Sequence, residues 1–244
     1  MQQETQFDLI VVGGGTAGAF SAIAAAREGL KVAVVERGTC LGGLAASSGL
    51  TEMNAAGFQG APLYRGIERE VFDRLIWGGH AAYHFAVPMS SNKEVKIDRL
   101  RYDPERLKLL LEQLAVEAGI TLLYETELTA AREGEEECQI TARGPYQEIA
   151  LSGKYLIDAT GNASLVQALG GETEAADERE RMIATLMFRI SNVDLDQLDA
   201  FIQPTPGGDH PAGPGERCAE GRHPGLYPHP RHPGREPECH PGQV

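Results

Sequence analysis

Three glycines near the start of the chain have the spacing of a phosphate-binding turn. They are Gly13, Gly15 and Gly18, and they directly follow an apolar run. In such a turn the first glycine permits a tight bend, the second lets the backbone approach a pyrophosphate, and the third lets helix and strand pack closely. A helix that begins near Thr16 and Ala17 would point its N-terminal N–H groups at the phosphates.

An acidic residue stands where a ribose could be held. A second apolar run ends at Val35 and is followed by Glu36, 18 residues after Gly18. A carboxylate at this point can accept hydrogen bonds from a ribose diol, and Arg37 lies beside it. Because strand, glycine turn, helix, second strand and acid occur in this order, the segment predicts a dinucleotide-binding βαβ unit. A strand–turn–helix that binds nothing is the less favoured interpretation.

Two further glycines favour one dinucleotide over another. Gly42 and Gly43 follow shortly after the acid and indicate a second close approach of backbone to ligand. A compact NAD-binding domain has no clear need for them, whereas the longer FAD continues past its pyrophosphate to the flavin. Much later in the chain, a buried-strand pattern ends in the tight turn Ala159-Thr160-Gly161.

Together these motifs resemble the N-terminal half of the FAD-dependent oxidoreductase family, which has the glutathione-reductase-type FAD fold. The stretches CLGGLAASSGL, YDPERLKLLLEQLAVEAGITLL, YLIDATGNASLVQALGG and ATLMFRI carry the likeness, which covers roughly residues 6–200. One departure is Asn162, because that branch of the family usually has an acidic residue after Ala-Thr-Gly.

The resemblance implies an α/β fold. It would be a Rossmann-like FAD-binding domain with a parallel sheet plus a β-meander, followed by the start of a substrate domain. FAD would be the cofactor, and hydride transfer at the flavin would oxidise or reduce a small organic substrate. The residues expected to bind FAD are Gly13, Gly15, Thr16, Ala17, Gly18, Glu36, Arg37, Gly42, Gly43, Leu128, Ala159, Thr160 and Gly161. Leu128 looks equivalent to a backbone position beside the adenine, and the sequence names no catalytic acid or base.

The hydrophobic pattern predicts the elements that must position these residues. An Ala-rich helix is expected from about Thr16 to Glu28, a second over residues 62–77, and a third that begins at Asp103-Pro104-Glu105. Strands are predicted over residues 7–12, 31–35, 120–124, 155–159 and 185–190. The alternating segments 127–133, 138–143 and 146–151 predict a β-meander, and residues 44–62 are expected to form a loop over the flavin.

The sequence predicts three regions of unequal character. An FAD-binding domain is expected over residues 1–162, with an inserted segment at 51–100, and a partial substrate domain over residues 163–202. Residues 203–244 hold 10 of the 14 prolines and 5 of the 7 histidines. Because this composition cannot build a core, we expect a disordered tail or the product of a shifted reading frame, and a truncated, poorly active enzyme.

Other functions stay open at this stage. The first glycine motif would also serve an NAD(P)-binding oxidoreductase or a non-catalytic dinucleotide-binding module. The histidines and cysteines after residue 203 would suit a metal-binding or interaction protein, but their spacing matches no zinc-site pattern. Whether this chain is itself an enzyme is therefore not settled by its sequence.

Histidine and cysteine side chains elsewhere offer weaker candidates. His80 and His84 are four residues apart, so on a helix they could bind one metal ion together. No acidic or cysteine ligand accompanies them, which favours partly exposed histidines on a loop or short helix, with a substrate contact as the alternative. Cys40 is expected to be a small apolar filler rather than a catalytic thiol. We expect no metal site.

Charge and hydrophobicity limit the partners. The 244 residues carry a formal net charge of −13, which argues against nucleic acid as a ligand. The N-terminus lacks the basic start of a signal peptide, and no apolar run approaches the ~20 residues that span a bilayer. We therefore expect a cytoplasmic protein whose partner is a small-molecule substrate, while its oligomeric state stays open.

Overall fold

A computed structural model describes residues 5–58, 61–88, 94–175, 177, 184–188, 190–194 and 196–198. The five helices of this part of the chain are α1 (Thr16–Arg27), α2 (Leu44–Ser47), α3 (Gly66–Trp77), α4 (Pro104–Glu117) and α5 (Ser164–Ala168). Its ten strands are β1 (Gln6–Val12), β2 (Val32–Val35), β3 (Glu52–Phe58), β4 (Ala61–Pro62), β5 (Ala81–Pro88), β6 (Lys96–Tyr102), β7 (Thr121–Leu123), β8 (Glu127–Arg132), β9 (Cys138–Arg143) and β10 (Glu148–Asp158).

The chain divides into two compact units, Met1–Ser191 and Asn192–Val244. All the elements named above belong to the first unit. In the second unit only residues 192–194 and 196–198 are described. The expected tail at 203–244 lies outside the described residues. Across the described residues, no helix is both long enough and apolar enough to cross a membrane.

The main sheet has six strands in the order β7-β2-β1-β10-β9-β8. The first four run parallel, with Val12 opposite Val35 on one side and opposite Asp158 on the other. Strands β8, β9 and the first half of β10 form the antiparallel meander. This arrangement confirms the predicted Rossmann-like sheet with its β-meander.

Strand β10 belongs to both parts of this sheet. Its N-terminal half pairs antiparallel with β9, from Glu148 to Gly153, and its C-terminal half pairs parallel with β1, up to Asp158. The sequence predicted two separate strands here, at 146–151 and 155–159. The structure joins them because the intervening residues Ser152 and Gly153 already pair with β1 while they still pair with β9.

Both faces of the parallel part are covered. Leu9 and Val11 of β1 point into a first core cluster with α1, α3 and α4, which includes Phe72 and Leu111. Their neighbours along β1 point into a second core cluster, whose buried members are Phe7, Ile10, Val12, Ala33, Val35, Ile140, Ala142, Leu151 and Leu165. Because successive side chains of a strand face opposite ways, a segment buried on both faces must be apolar throughout, as β1 is from Leu9 to Val12.

A second sheet follows in the order β4-β3-β6-β5, with α3 packed against it. It corrects two expectations. Residues 44–62 are not one loop, since they contain α2, β3 and β4, and His84 lies on a strand rather than on a loop or short helix. The small residues of β3 give little local signal, and their strand depends on pairing with β6, which is distant in sequence.

Helix boundaries follow their local signals where those signals are strong. Asp103 accepts a hydrogen bond from the backbone N–H of Glu105 at 2.9 Å, and α4 begins at Pro104 as predicted. Helix α3 begins at Gly66 rather than Pro62, because residues 61–62 pair with β3 as β4.

The strand predicted at 185–190 is wrong for the residues described there. Residues 184–188 and 190 have no strand assignment. The alternating apolar side chains Leu186, Phe188 and Ile190 are exposed in the first unit. An alternating pattern forms a strand only where a partner strand accepts its hydrogen bonds.

Candidate functional site

Three loops meet at the carboxyl ends of the parallel strands. They are the glycine turn after β1, the segment after β2 that contains Gly42 and Gly43, and the turn after β10. The glycine turn after β1 is held by a hydrogen bond from the N–H of Gly13 to the carbonyl of Val35, at 2.8 Å. The turn after β10 is held to β1 by the N–H of Ala159, which donates to the carbonyl of Val12 at 2.8 Å. Ligands of open α/β sheets bind at this edge of the strands.

Two glycines of the first turn are required by the protein itself. Gly13 has φ +97°, and a Cβ there would lie 2.6 Å from the carbonyl oxygen of Ala159. A Cβ on Gly18 would lie only 1.9 Å from the carbonyl oxygen of Gly13. These positions therefore make the bend and allow α1 to pack closely against the turn, which are the jobs predicted for them.

Gly15 differs from both neighbours in the motif. Its φ is −60°, which any residue can adopt, and a Cβ there would meet no atom within 4 Å. The protein itself therefore does not require a glycine here, and the open space beside Gly15 is available to a ligand that approaches the backbone.

The N-terminus of α1 faces the same space without a competing group. No side chain caps this helix, and its first turn has no acidic residue. The hydroxyl of Thr16 donates to the carbonyl of Gly42 at 3.2 Å, and Ala17 is exposed. The first N–H groups of the helix and the positive end of its dipole are thus available to an anion such as a pyrophosphate.

The second glycine pair lies against the first turn. The N–H of Gly42 donates to the carbonyl of Gly14 at 2.9 Å, and the φ angles of Gly42 and Gly43 are +102° and +53°. A Cβ on Gly43 would lie 2.9 Å from the Cα of Gly15. Positive φ and close backbone approach together explain why both residues are glycines.

Glu36 stands between these two turns. Its Oε2 accepts from the N–H of Gly14 and its Oε1 from the N–H of Gly38, each at 2.6 Å. A carboxylate can accept about four hydrogen bonds, so each oxygen keeps capacity for a ribose hydroxyl. The neighbouring Arg37 side chain is exposed. The sequence analysis did not foresee the roles of Gly14 and Gly38, which follow from contacts with Glu36.

The third loop is shaped by Asp158, a residue that the sequence analysis did not select. Its Oδ1 accepts from the N–H of Thr160 at 2.9 Å and from the hydroxyl of Thr160 at 2.7 Å, while Oδ2 accepts from the N–H of Val166 at 2.9 Å. Burial acts to raise the pKa of Asp158, but these hydrogen bonds outweigh it and hold the pKa below its usual value. Around Gly161 a Cβ would meet no atom within 4 Å.

Leu128 lies apart from these three loops. It sits on β8 opposite Ala142, and its side chain packs against the second core cluster. The chain that leads into β8 passes beside Glu36, because the N–H of Thr126 donates to the carbonyl of Glu36 at 3.0 Å. Contact between the backbone at Leu128 and an adenine therefore stays a prediction.

A cleft of roughly 350 Å³ lies close to the second glycine pair. Its walls come from α2 and the start of α4, together with two residues of the first unit that follow α5. The lining residues are Ala46, Ser47, Ser48, Gly49, Pro104, Glu105, Lys108, Met187 and Phe188. A Cβ on Gly42 would lie 2.7 Å from the Cβ of Ala46, so this cleft borders the second glycine pair.

The helical arrangement that would bring the two histidines together is not formed. His84 lies on the strand β5, and His80 directly precedes that strand, so the four-residue spacing does not place both imidazoles on one face of a helix. Within the described residues, no three histidine, cysteine, aspartate or glutamate side chains gather where a metal ion could bind. Cys40 is not purely an apolar filler, since its Sγ lies 3.3 Å from the hydroxyl of Ser47.

The donor set of the three loops fits FAD. Open space beside Gly15, an uncapped helix N-terminus and a carboxylate with spare acceptor capacity suit the pyrophosphate and ribose of a dinucleotide. The sequence model of the family described as "FAD dependent oxidoreductase" matches residues 8–233. That match includes part of the segment that follows residue 202.

Solved structures of a monooxygenase and a hydroxylase share the fold. The p-nitrophenol 4-monooxygenase PnpA from Pseudomonas putida DLL-E4 superposes with a TM-score of 0.53 at 15% identity, over 70% of this chain and 45% of that chain. The anhydrotetracycline hydroxylase OxyS from Streptomyces rimosus gives 0.53 at 18% identity, over 70% of this chain and 35% of that chain. The chain thus covers less than half the length of either structure, and at these identities the likeness concerns the fold alone. No curated protein matches the sequence.

Proposed function

Since the chain belongs to the FAD-dependent oxidoreductase family, we propose that it forms the FAD-binding part of an enzyme that oxidises or reduces a small organic substrate. The observation that carries the proposal is the space beside Gly15. Glycine is not needed there for the fold, yet the helix N-terminus and the second glycine pair both face this position. A glycine at a position where the fold does not need one favours a ligand in contact with its backbone.

In this proposal each loop holds a different part of the cofactor. Gly13, Gly15, Thr16, Ala17 and Gly18 bind the pyrophosphate through backbone N–H groups and the α1 dipole. Glu36 accepts hydrogen bonds from the adenosine ribose, with Arg37 beside it, and Leu128 offers its backbone to the adenine. The remaining positions lie along the pyrophosphate and ribityl chain: Gly42, Gly43, Ala159, Thr160 and Gly161.

The chain's own residues bind and orient the cofactor. Bound FAD supplies the hydride or electron transfer of the reaction. Hydrogen bonds that Asp158 accepts shape the turn that includes Thr160, and the hydrogen bond from the N–H of Gly42 to the carbonyl of Gly14 holds the two glycine turns together. The cleft beside Ser47 and Lys108 is one described space that a small molecule could enter.

A substitution at Gly15 tests the proposal because it separates binding from folding. Gly15→Val introduces a side chain into open space at a φ of −60°, so the melting temperature should change by only a few degrees. Its affinity for FAD should nevertheless fall by about 100-fold or more, since the side chain occupies the pyrophosphate path. Calorimetry with FAD and with ADP measures this loss.

Gly18→Ala is the matched comparison. Its Cβ would collide with the carbonyl oxygen of Gly13, so this variant should lose stability together with binding. Flavin absorbance of the reconstituted wild type, beside a titration with NAD and NADP, distinguishes FAD from the nicotinamide nucleotides. Equal FAD affinity in the wild type and Gly15→Val would refute the assigned site.

A further inference from the structure

The four-stranded sheet carries a charged cluster of its own, made of Glu52, Arg99 and Arg101. The aromatic side chains of Tyr83 and Tyr102 lie on the face that packs against α3. Because side chains alternate along a strand, Glu52, Arg99 and Arg101 lie on the opposite face. We call this side of the sheet the outer face.

Two arginines of the outer face bind one carboxylate. Nη1 of Arg99 lies 2.8 Å from Oε1 of Glu52, and Nε of Arg101 lies 3.0 Å from Oε2. Burial acts to raise the pKa of Glu52, but the hydrogen bonds from both arginines outweigh it and lower the pKa. Two guanidinium groups against one carboxylate leave an excess positive charge in a chain whose net charge is −13.

The cluster has donors that Glu52 does not use. Nε of Arg99 is buried and has no hydrogen-bond partner among the described residues. A buried donor of a charged group left without an acceptor is costly, and native structures rarely keep one. Arg101 uses only Nε in its assigned contact, and its side chain is 57% exposed.

A histidine lies on one side of the arginines, and an aliphatic pair lies further along the strands. His84 pairs with Arg99 across β5 and β6, and burial, then the charge of Arg101, lower the pKa of His84. One step further along, Val87 pairs with Ile97, which is buried. The outer face thus places cationic donors next to the imidazole of His84, with the aliphatic pair Val87 and Ile97 beside them.

We propose that the outer face binds the carboxylate of a small aliphatic acid, through Arg99 and Arg101, and that this is a substrate subsite. The geometry of the two arginines already suits a carboxylate, because Glu52 bridges them, and guanidinium groups pair best with planar anions. The role as a substrate subsite rests on the proposed function, whereas carboxylate binding itself does not.

Nuclear magnetic resonance of the full chain tests this inference directly. The chain is labelled with nitrogen-15 in arginine, loaded with FAD and titrated with butyrate, and with butyramide as the uncharged analogue. Butyrate should produce saturable shifts of the Nε–H resonances of Arg99 and Arg101, and butyramide should not. Arg99→Lys and Arg101→Lys identify the two resonances. Equal shifts with both compounds would overturn the proposal.

A variant pair measures the contribution of the exposed arginine. Arg101→Gln removes donors from a solvent-facing side chain and should weaken butyrate binding at least about tenfold, the value of one hydrogen bond to a charged group. Arg106→Gln, an exposed arginine on α4, should leave the affinity unchanged. Unchanged affinity in Arg101→Gln would count against the site.

The same titration without FAD separates the two proposals. If butyrate binds to the cofactor-free chain and FAD never binds, the proposed function fails and carboxylate binding stands. If FAD binds and butyrate shifts no arginine resonance, the subsite is wrong and the FAD site is unaffected.

Discussion

The Glu36 carboxylate has about four acceptor positions, and the protein uses two of them. The N–H groups of Gly14 and Gly38 fix the carboxylate between two turns before any ligand arrives. A side chain already held in place loses little further conformational entropy when a ribose binds. Gly15 makes the complementary contribution, since it supplies space rather than a contact.

Replacement of Glu36 by glutamine should show both roles. In Glu36→Gln the amide offers one oxygen and one NH2, so one of the two N–H groups of Gly14 and Gly38 loses its acceptor. The free energy of unfolding should fall by about 1–3 kcal/mol, and FAD should bind more weakly. Urea denaturation and calorimetry measure the two effects.

The control for this variant is Glu148→Gln, which changes an exposed glutamate at the start of β10. It should alter neither stability nor FAD affinity. If Glu36→Gln behaves like Glu148→Gln, the carboxylate holds neither the turns nor the ribose.

The short helix α5 is stabilised by a side chain outside it, because it is too short to be stable alone. Helix α5 has five residues and starts after Ala163, whose φ is +54°. A helix this short is not stable alone. Asp158 links it to β10 through Val166 and also holds the turn at Thr160. A single carboxylate therefore connects strand, turn and helix.

The lowered pKa of Asp158 predicts that the free energy of unfolding depends on pH in the acid range. Because the folded-state pKa lies below the ordinary value of 3.8, the stabilisation is complete above the unfolded-state pKa and is lost as the pH falls through the folded-state pKa. The difference in unfolding free energy between the wild type and Asp158→Asn should be constant from pH 7 to about pH 5 and should shrink below about pH 4. Urea titrations across this range measure it. A difference that does not change with pH would mean that the charge contributes nothing.

Elements with local signals were predicted well from the sequence. The N-cap Asp103 and the terminal Gly119 mark the two ends of α4. The glycine turn is recognisable from the sequence because Gly13 and Gly18 are required by close contacts within the turn and with neighbouring backbone. The sheet formed by β3 to β6 was missed, since its strands are specified by pairing between distant residues. Asp158 was missed for the same reason: its partners lie on the turn and helix that follow.

At the scale of the first unit, both sheets share one core. Phe72 of α3 packs against Tyr64 and Tyr102, with ring centroids 5.2 and 6.3 Å apart, and belongs to the same buried cluster as Val11 of β1. The segment at 51–100 is therefore part of the core of the FAD-binding fold and not an appendage. Unfolding of the two sheets should be cooperative.

Phe72→Ala should lower the free energy of unfolding by about 3–5 kcal/mol. Because the core is shared, fluorescence of the single tryptophan, Trp77 in α3, should change at the same denaturant concentration as the far-ultraviolet circular dichroism of the whole chain. Phe85→Ala, at a side chain that is 40% exposed, should lower the free energy of unfolding much less. Two separate transitions in the wild type would show that the sheets unfold independently.

The pairing of β10 with both β9 and β1 has a consequence for synthesis of the chain on the ribosome. Strand β1 emerges early, but one of its two neighbours, residues 152–158, is made about 140 residues later. At common translation rates of about 5–20 residues per second, the edge of β1 that later pairs with β10 has no partner strand for on the order of ten seconds or more. During this interval an apolar strand with unpaired backbone groups can join another nascent chain. Slower translation of the codons between β1 and β10 should therefore favour aggregation, and chaperones that bind exposed apolar segments should counteract it.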